Sequence, residues 1–210
     1  MTRKRLSREE SRDQTRQRLL DAALALIAQK GLAATSVEDI AEAAGYSRGA
    51  VYSNFGGKGD LFIELLRRDH HEMMAAFDAV LDDALPIEEV RQRMRALYVS
   101  LYADTACFMN WTEARMLAAR DADFRDKFAA LIGEKTQQVA GYIRYFYKRL
   151  GVEPATTPEV LAMGFMSLME GVKLFMLSSP LEMRAEHAEA ALAAFMDSIT
   201  ELATLKSVQP

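Results

Sequence analysis

The chain has few of the residues that mark several large classes of protein. Its 210 residues include one cysteine, Cys107, which excludes an intramolecular disulfide framework and a thiolate-rich zinc site. Five prolines and eleven glycines are too few for a low-complexity or fibrous chain. No uninterrupted apolar run approaches the roughly 18 residues of a membrane span, and no apolar segment follows the basic N-terminal residues as in a secretory signal. We therefore expect a reduced, cytoplasmic, globular protein that makes no membrane contact.

Signatures of enzyme active sites are also missing. The sequence contains no P-loop, dinucleotide-binding glycine motif, HExxH or GxSxG pattern. Of the three histidines, His70, His71 and His187, the first two are adjacent. They therefore point to different sides of a helix and cannot form the i, i+4 pair that binds a metal. The sequence predicts no catalytic residue, no metal site, no cofactor and no enzymatic activity.

The charge is distributed unevenly along the chain. The net charge is −4, but residues 1–60 hold ten basic side chains against eight acidic ones, while the remainder holds 16 against 22. Within residues 1–18 there are seven basic and three acidic side chains. A basic end on an acidic body suits an anionic partner that contacts one end only, although a solvated basic tail has the same composition.

Almost every segment has the periodicity and composition of a helix. Alternating β-branched runs are absent, and Ala, Leu, Met, Glu and Arg dominate, so the predicted fold is all-α with about nine helices. A first helix carries an apolar stripe from Leu20 to Ile27 and closes at Gly31. Two short helices follow, and longer ones are expected near 58–83, 87–105, 109–119, 122–150, 157–178 and 182–205.

The two short helices form a helix-turn-helix pattern. In TSVEDIAEAAG, Thr35 or Ser36 can cap a helix start, because each has an acidic residue three positions on. Gly45 offers the positive φ that ends the helix. A second helix over roughly 47–54 follows after a very tight turn, and Gly56-Gly57 closes it. Helices joined by such a glycine-bearing turn are typical of DNA-binding heads.

The second short helix has one apolar and one polar face. Val51 and Phe55 lie four residues apart and can pack on the helices around them. Arg48 can donate to both O6 and N7 of guanine, and Tyr52 presents a hydroxyl and a ring. Small or polar groups therefore form the exposed face, which consists of Arg48, Gly49, Tyr52 and Ser53.

Groups that suit a phosphate backbone surround this face. Ser36 and Ser47 stand at helix starts, where hydroxyls and free N–H groups can meet phosphates. Lys58, just after the double glycine, adds a point charge, and Asn54 can pair with adenine or reach the backbone. A solvated amphipathic helix would also expose polar residues, but here the turn, the caps and the Arg/Tyr face agree with one another.

The span TSVEDIAEAAGYSRGAVYSNFGGKGDLF strongly resembles the DNA-binding signature of the TetR family of bacterial transcriptional repressors. The resemblance covers roughly residues 12–65 and is most specific from Ile40 to Ser47 and at the Tyr52–Phe55 pair. It implies a homodimer that reads two DNA half-sites. It also implies phosphate contacts from Ser36 and Lys58, and a DNA-facing set made of Ser47, Arg48, Gly49, Tyr52, Ser53 and Asn54.

One position departs from the family pattern. Family members usually carry an acidic residue where this chain has Gly59. A glycine in the first turn weakens a helix start by up to ~1 kcal/mol, so a softer angle between head and body is expected. Asp60 can partly compensate through its interaction with the helix N-terminus.

The rest of the chain resembles the family in architecture alone. We predict a helix-turn-helix domain over residues 12–72, with its motif at about 35–54, and a ligand-binding and dimerisation domain over 73–205. Methionines and aromatic rings can line a pocket for an apolar or aromatic effector, although the same residues also build ordinary cores. The pocket walls are predicted to include Tyr98, Tyr102, Met109, Trp111, Met116, Tyr145 and Met166.

The last two predicted helices suggest an interface. In AMGFMSLMEGVKLFML the small residues Gly164, Ser167 and Gly171 alternate with large apolar ones, and AALAAFMDSITEL is rich in alanine. Small residues at such spacings let helices approach closely, either within a monomer or between subunits. Two such helices from each subunit would form a four-helix homodimer interface, as in the family.

Together these features predict a ligand-responsive repressor that binds a palindromic double-stranded DNA operator. A small, apolar or aromatic effector would favour a conformation whose heads are spaced wrongly for the two half-sites. Two alternatives stay open. In the first, the protein binds DNA as an activator or as a regulator controlled by a partner. In the second, it is a helical ligand-binding protein without a DNA function.

Overall fold

The computed structural model describes residues 7–154, 156–180, 184, 186–188, 190–191 and 194, without the side chains of residues 101–103. Within that part of the chain the regular structure is helical, which confirms the all-α prediction. The predicted helix over 182–205 falls largely outside the described residues. The helices with described bounds are α1 (Arg8–Ala34), α2 (Val37–Ala44), α3 (Arg48–Phe55), α4 (Lys58–Asp78), α5 (Ile87–Ala103), α6 (Thr105–Ala118), α7 (Ala122–Leu150) and α8 (Pro158–Ser178).

The ends of the first two helices follow local sequence signals. Gly31, at φ 79°, kinks α1 three residues before its end. Ser36, and not Thr35, caps α2: its hydroxyl accepts from the Asp39 amide, and the Asp39 carboxylate accepts from the Ser36 amide. The Thr35 hydroxyl instead donates to the Gly31 carbonyl at 2.8 Å. Gly45 ends α2 in the left-handed conformation at φ 74°, as expected from its missing Cβ.

Two later helices differ from the predicted bounds. α6 begins at Thr105 instead of residue 109, because the Asp104 carboxylate accepts from the Cys107 amide at 2.9 Å and caps the helix. α4 ends at Asp78, five residues before the predicted end at 83, in a turn that precedes Pro86. Both differences lie in the acidic connections, where several residues can serve as a cap.

The chain divides into two compact units, of which the first joins the described residues up to 73 with residues 104–131. Its core includes Leu19, Ile40, Val51, Leu61 and Phe62, all 0% exposed. Burying a side chain of this size contributes roughly 1.5–3 kcal/mol. The apolar stripes predicted for α2 and α3 therefore do face a core, and this core positions α3.

The second unit contains residues 74–103 and the described residues from 132 onward. Tyr98 packs on Phe77 at a ring-centroid distance of 4.6 Å and edge-on against Phe165 at 5.2 Å. α7 and α8 meet in a cluster that contains Val139, Ala140, Ala162, Phe165 and Met166. The predicted domain limits at 12–72 and 73–205 stay a prediction, because the first unit also takes in residues 104–131.

The sequence-based exclusion of a membrane-length helix needs a correction. α8 is 21 residues long and is apolar enough, by length and composition alone, to cross a membrane. Glu170 and Lys173 interrupt its apolar residues, which is why no continuous run is visible in the sequence. One such helix is weak evidence for a membrane span, since a helix that packs against protein passes the same test.

Candidate nucleic-acid interface

The turn between α2 and α3 is short and internally hydrogen-bonded. Three residues separate the two helices. The Gly45 amide donates to the Glu42 carbonyl at 3.0 Å and the Tyr46 amide to the Ala41 carbonyl at 2.8 Å. These bonds satisfy the last carbonyls of α2, so α3 starts at a defined angle. The arrangement is a helix-turn-helix in which α3 takes the place of the recognition helix.

The inner face of α3 is held in place by α1. Val51 is 0% exposed and Phe55 9%. The Arg16 guanidinium lies over the Phe55 ring, 4.4 Å from its centroid, and donates to the Asn54 carbonyl. The same guanidinium pairs with Glu64 of α4 at 3.2 Å. Arg16 therefore fixes the C-terminal end of α3, a role that sequence reasoning missed.

The outer face of α3 is exposed and carries the predicted DNA-reading residues. The side chain of Arg48 is 62% exposed and Tyr52 is 44% exposed. Gly49 and Ser53 are exposed beside them. Arg48 donates to the Tyr52 hydroxyl at 3.1 Å and pairs with Glu38 of α2 at 2.8 Å. The Tyr52 hydrogen bond and then the Glu38 carboxylate raise the pKa of Arg48, so its charge is available at every working pH.

Two serines stand at helix N-termini on this unit. Ser47 precedes α3 and is exposed, and within the described part of the chain its side chain makes no capping hydrogen bond to α3. Its hydroxyl and the first amides of α3 can therefore receive an anion. Ser36 accepts from Asp39 through its oxygen, which leaves its hydroxyl hydrogen to donate outward. Both serines thus have the geometry that a phosphate contact needs, and the contact itself stays a prediction.

Ser53 and Asn54 turn back on their own helix. The Ser53 hydroxyl donates to the Ala50 carbonyl at 3.1 Å, and the Asn54 amide donates to the same carbonyl at 2.8 Å. The Asn54 side-chain oxygen is buried and has no hydrogen-bond partner among the residues that the structure describes. An adenine contact from Asn54 therefore requires its side chain to rotate away from the helix.

Lys58 points toward the protein. Its ammonium donates to the carbonyls of Leu32 at 3.0 Å and Thr35 at 2.9 Å, at the end of α1 where helix carbonyls run out of partners in the next turn. The Leu32 carbonyl also accepts from the Thr35 amide at 3.2 Å. The Leu32 amide in turn donates to the Glu113 carboxylate of α6 at 2.6 Å. The α1–α2 connection is thus held at both its carbonyl and its amide groups. An ammonium has three N–H donors, and two of them bond to these carbonyls. The third N–H donor would have to make the phosphate contact predicted for Lys58.

The start of α2 carries a second, solvent-exposed charge pair. The Asp39 carboxylate accepts from the Lys30 ammonium at 2.6 Å and from the Ser36 amide at 3.0 Å. The Lys30 bond first, and then those with Ser36, lower the pKa of Asp39 to about 2. Asp39 is therefore ionised at neutral pH and bound to its own helix start.

Three of the predicted pocket residues lie on α6 in the first unit. Met109 is 42% exposed and Met116 51%. Trp111 is buried at 6% and packs on Phe128 at a centroid distance of 6.1 Å. Trp111 therefore belongs to a packed aromatic cluster, while Met109 and Met116 are exposed within the part of the chain that the structure describes.

The other predicted pocket residues belong to the second unit. Tyr98 packs against the cluster that contains Met166, so the structure brings these two together. Burial raises the pKa of Tyr98, which keeps its hydroxyl neutral. The Tyr145 hydroxyl accepts from Arg149 at 2.8 Å, and the side chain of Tyr102 lies outside the described residues. The seven residues are thus divided between the two units, and the pocket stays a prediction.

Comparison with known proteins agrees with the helix-turn-helix geometry. The family model for bacterial regulatory proteins of the tetR family matches residues 19–65, which include all of α2 and α3. The helix-turn-helix part of the chain is therefore similar to the TetR family. The resemblance noted in the sequence is thereby confirmed at the level of the family.

Curated relatives match part of the chain. The chain is 48% identical over 61 residues to the HTH-type transcriptional regulator AcrR of Shigella flexneri, a match that covers 29% of this chain and 28% of AcrR. It is 32% identical over 106 residues to the HTH-type transcriptional repressor KstR2 of Mycobacterium tuberculosis, covering 49% and 52% of the two chains. The chain thus spans about half the length of KstR2 and about a quarter of AcrR. These relatives are regulators and not enzymes, as the sequence predicts for this chain.

Solved structures match over more of the chain. A TetR-family transcriptional regulator from Rhodococcus sp. superposes with a TM-score of 0.73 at 23% identity, covering 89% of this chain and 98% of the other. The complex of SmeT with triclosan superposes with a TM-score of 0.65 at 22% identity, covering 88% and 90%. At these identities the likeness confirms the fold, an N-terminal helix-turn-helix followed by a helical body.

Proposed function

We propose that this protein is a cytoplasmic, homodimeric repressor of the TetR family that binds a palindromic operator and is released by a small apolar or aromatic effector. The exposed face of α3 carries this proposal. Arg48 and Tyr52 stand out from a helix whose opposite side is buried through Val51 and Phe55. A short helix that is anchored on one side and polar on the other fits the major groove.

Base reading falls to Arg48 and phosphate contact to the helix starts. A guanidinium donates in a fork that matches O6 and N7 of guanine. The uncapped Ser47 and the free amides of α3 fix the register on the backbone without reading sequence. Gly49 lets the backbone of α3 approach the groove wall, since it adds no side chain there.

α8 supports the homodimer. Its side chains Val160, Met163, Leu174 and Phe175 are 49%, 56%, 50% and 60% exposed. They share one side of the helix with small residues at spacings of three and four, namely Gly164, Ser167 and Gly171. A large apolar surface with small residues at its centre suits a second helix packed closely against it. The dimer would bring two heads to two half-sites of a palindrome.

An effector that releases the protein from DNA would regulate it. The fold matches that of SmeT, whose structure was solved with triclosan, an observation that supports an apolar or aromatic effector here. Such a ligand must bind the two conformations of the protein with different affinity, typically by 1–3 kcal/mol, to change DNA binding. The exposed thioethers of Met109 and Met116 are adaptable groups that can contact a molecule of this kind.

The central test is selection of binding sites from random double-stranded DNA by the full chain. We expect a palindromic site, affinity that falls steeply with salt, and an Arg48→Ala variant that binds more weakly and loses base preference. Light scattering of the free protein should give a dimer. Candidate effectors are then screened for release of the protein from the selected site.

Other results would identify one of the alternatives. A chain that binds no DNA at any salt concentration would be a helical ligand-binding protein without a DNA function. A chain that binds a specific site but raises transcription from a reporter would be an activator. Arg48→Ala with unchanged discrimination would remove Arg48 from the base-reading set.

A further inference from the structure

α2 places a carboxylate directly against the candidate base-reading arginine. Glu38 lies in the first turn of α2, with its side chain 57% exposed, and its oxygen is 2.8 Å from the Arg48 guanidinium. Tyr52 completes the group, since its hydroxyl accepts from Arg48 at 3.1 Å and its ring centroid lies 5.3 Å from the guanidinium carbon. The guanidinium is therefore held between two helices before any ligand binds.

Glu38 differs from its neighbour Asp39, which serves the fold. Asp39 caps α2 and bonds to Lys30, whereas Glu38 extends outward to Arg48. An ion pair this exposed contributes little to stability, because water and salt screen it. A negative charge on a surface that meets phosphates also opposes binding. A negative charge in the first turn of α2 also favours the helix start, but that effect needs no contact with Arg48. The contact between Glu38 and Arg48 is therefore better explained by recognition than by folding.

The Glu38–Arg48 pair carries a pattern that bases can match. In the major groove guanine offers acceptors at O6 and N7, while cytosine offers the N4 amino donor. The guanidinium donates and the carboxylate accepts, so the two together are complementary to a G·C pair or to neighbouring bases of that kind. We infer that Glu38 is a specificity-determining residue of the DNA-reading face, an inference that rests on the proposed function.

The carboxylate acts mainly against wrong sequences. Where the facing base has no amino group, Glu38 enters the groove without a donor and its lost hydration is not replaced. The same carboxylate holds Arg48 away from nearby phosphates, which reduces sequence-independent binding. Specificity then arises because unmatched sites are penalised, in addition to the attraction of the matched one.

The experiment compares Glu38→Gln with Glu42→Gln in the full chain. Glu42 lies one turn further along α2 and is also exposed, so both variants remove one negative charge from the same helix. Binding of the wild-type protein and both variants is measured by fluorescence anisotropy. The probes are the selected site, its set of single base-pair changes and a scrambled duplex. Circular dichroism and thermal melting establish that each variant is folded.

We expect Glu38→Gln to bind the scrambled duplex several-fold more tightly. The preference of this variant for the selected base pair should fall about tenfold at one position per half-site, a typical value for one specific base contact. That position should be the one at which Arg48→Ala also loses its preference. Glu42→Gln should raise binding to all duplexes alike. Equal base-pair profiles for the two glutamine variants would overturn the inference while leaving the proposed function intact. A wild-type chain without any sequence preference would overturn the proposed function and the inference with it.

Discussion

Replacing Lys58 by methionine should destabilise the first unit substantially. The ammonium of Lys58 holds the carbonyls of Leu32 and Thr35 at 3.0 and 2.9 Å, and methionine keeps the apolar stem but removes both donors. Hydrogen bonds with a charged partner contribute roughly 1.5–3 kcal/mol each. Both bonds are partly buried, so water can replace a share of them. The expected loss is about 2–4 kcal/mol in the free energy of unfolding.

The measurement is denaturant unfolding at neutral pH, followed by circular dichroism. Lys30→Met is the matched control, because Lys30 also bonds to an acceptor in this unit, but in a solvent-exposed pair with Asp39. We expect a clearly smaller loss for the control. Equal losses for the two variants would refute the internal role of Lys58.

DNA binding by the same variant separates the two roles of Lys58. If its third donor reaches a phosphate, Lys58→Met flattens the dependence of log affinity on log salt concentration by about one unit. The salt dependence should be measured below the unfolding temperature of the variant. An unaltered slope together with the stability loss would restrict Lys58 to the fold.

Three further predictions concern single positions. In Gly49→Ala the new methyl group would lie 3.6 Å from the Ser47 hydroxyl oxygen, an ordinary contact. The free protein should therefore gain up to ~1 kcal/mol in helix stability yet bind operator more weakly in anisotropy titrations; undiminished affinity would show that Gly49 does not approach DNA. Gly59→Ala places its methyl group 3.5 Å from Phe124 and should raise the melting temperature by roughly 2–4 °C. A melting temperature below that of the wild type would mean that the added methyl group is too close to Phe124. The lowered pKa of Asp39, about 2, implies stability that is present above the ordinary carboxyl pKa and lost as pH falls through about 2. Asp39→Asn should therefore melt lower than wild type at pH 7, with a difference that shrinks in acid.

The parts of the fold that depend on local signals could be predicted from the sequence. The helix-turn-helix follows from a serine cap, a glycine at positive φ and an apolar spacing of four, and each of these acts within a few residues. Gly45 and Ser36 behave as those rules require. The exposure of Arg48 and Tyr52 also follows, because Val51 and Phe55 fix which side of α3 is buried.

The contacts that hold the site together could not be predicted in this way. Arg16 meets Asn54 and Phe55 from 38 and 39 positions away, and Glu113 bonds to Leu32 from 81 positions away. Such pairs depend on how helices pack, and a single sequence contains no local pattern for them. The direction of Lys58 was missed for the same reason, since the two carbonyls that it binds belong to the end of α1.

Gly59 shows how a departure from a family pattern can have a packing cause. An acidic residue at this position would favour the start of α4 through its charge, and the sequence suggests a softer junction without it. In the structure the next residue, Asp60, pairs with Lys127 of α7, while Phe124 of α7 stacks on Phe62 of α4 at a centroid distance of 6.1 Å. α7 therefore stabilises the start of α4 from outside. A glutamate at position 59 would have to direct its side chain away from Phe124, whereas glycine leaves that approach open.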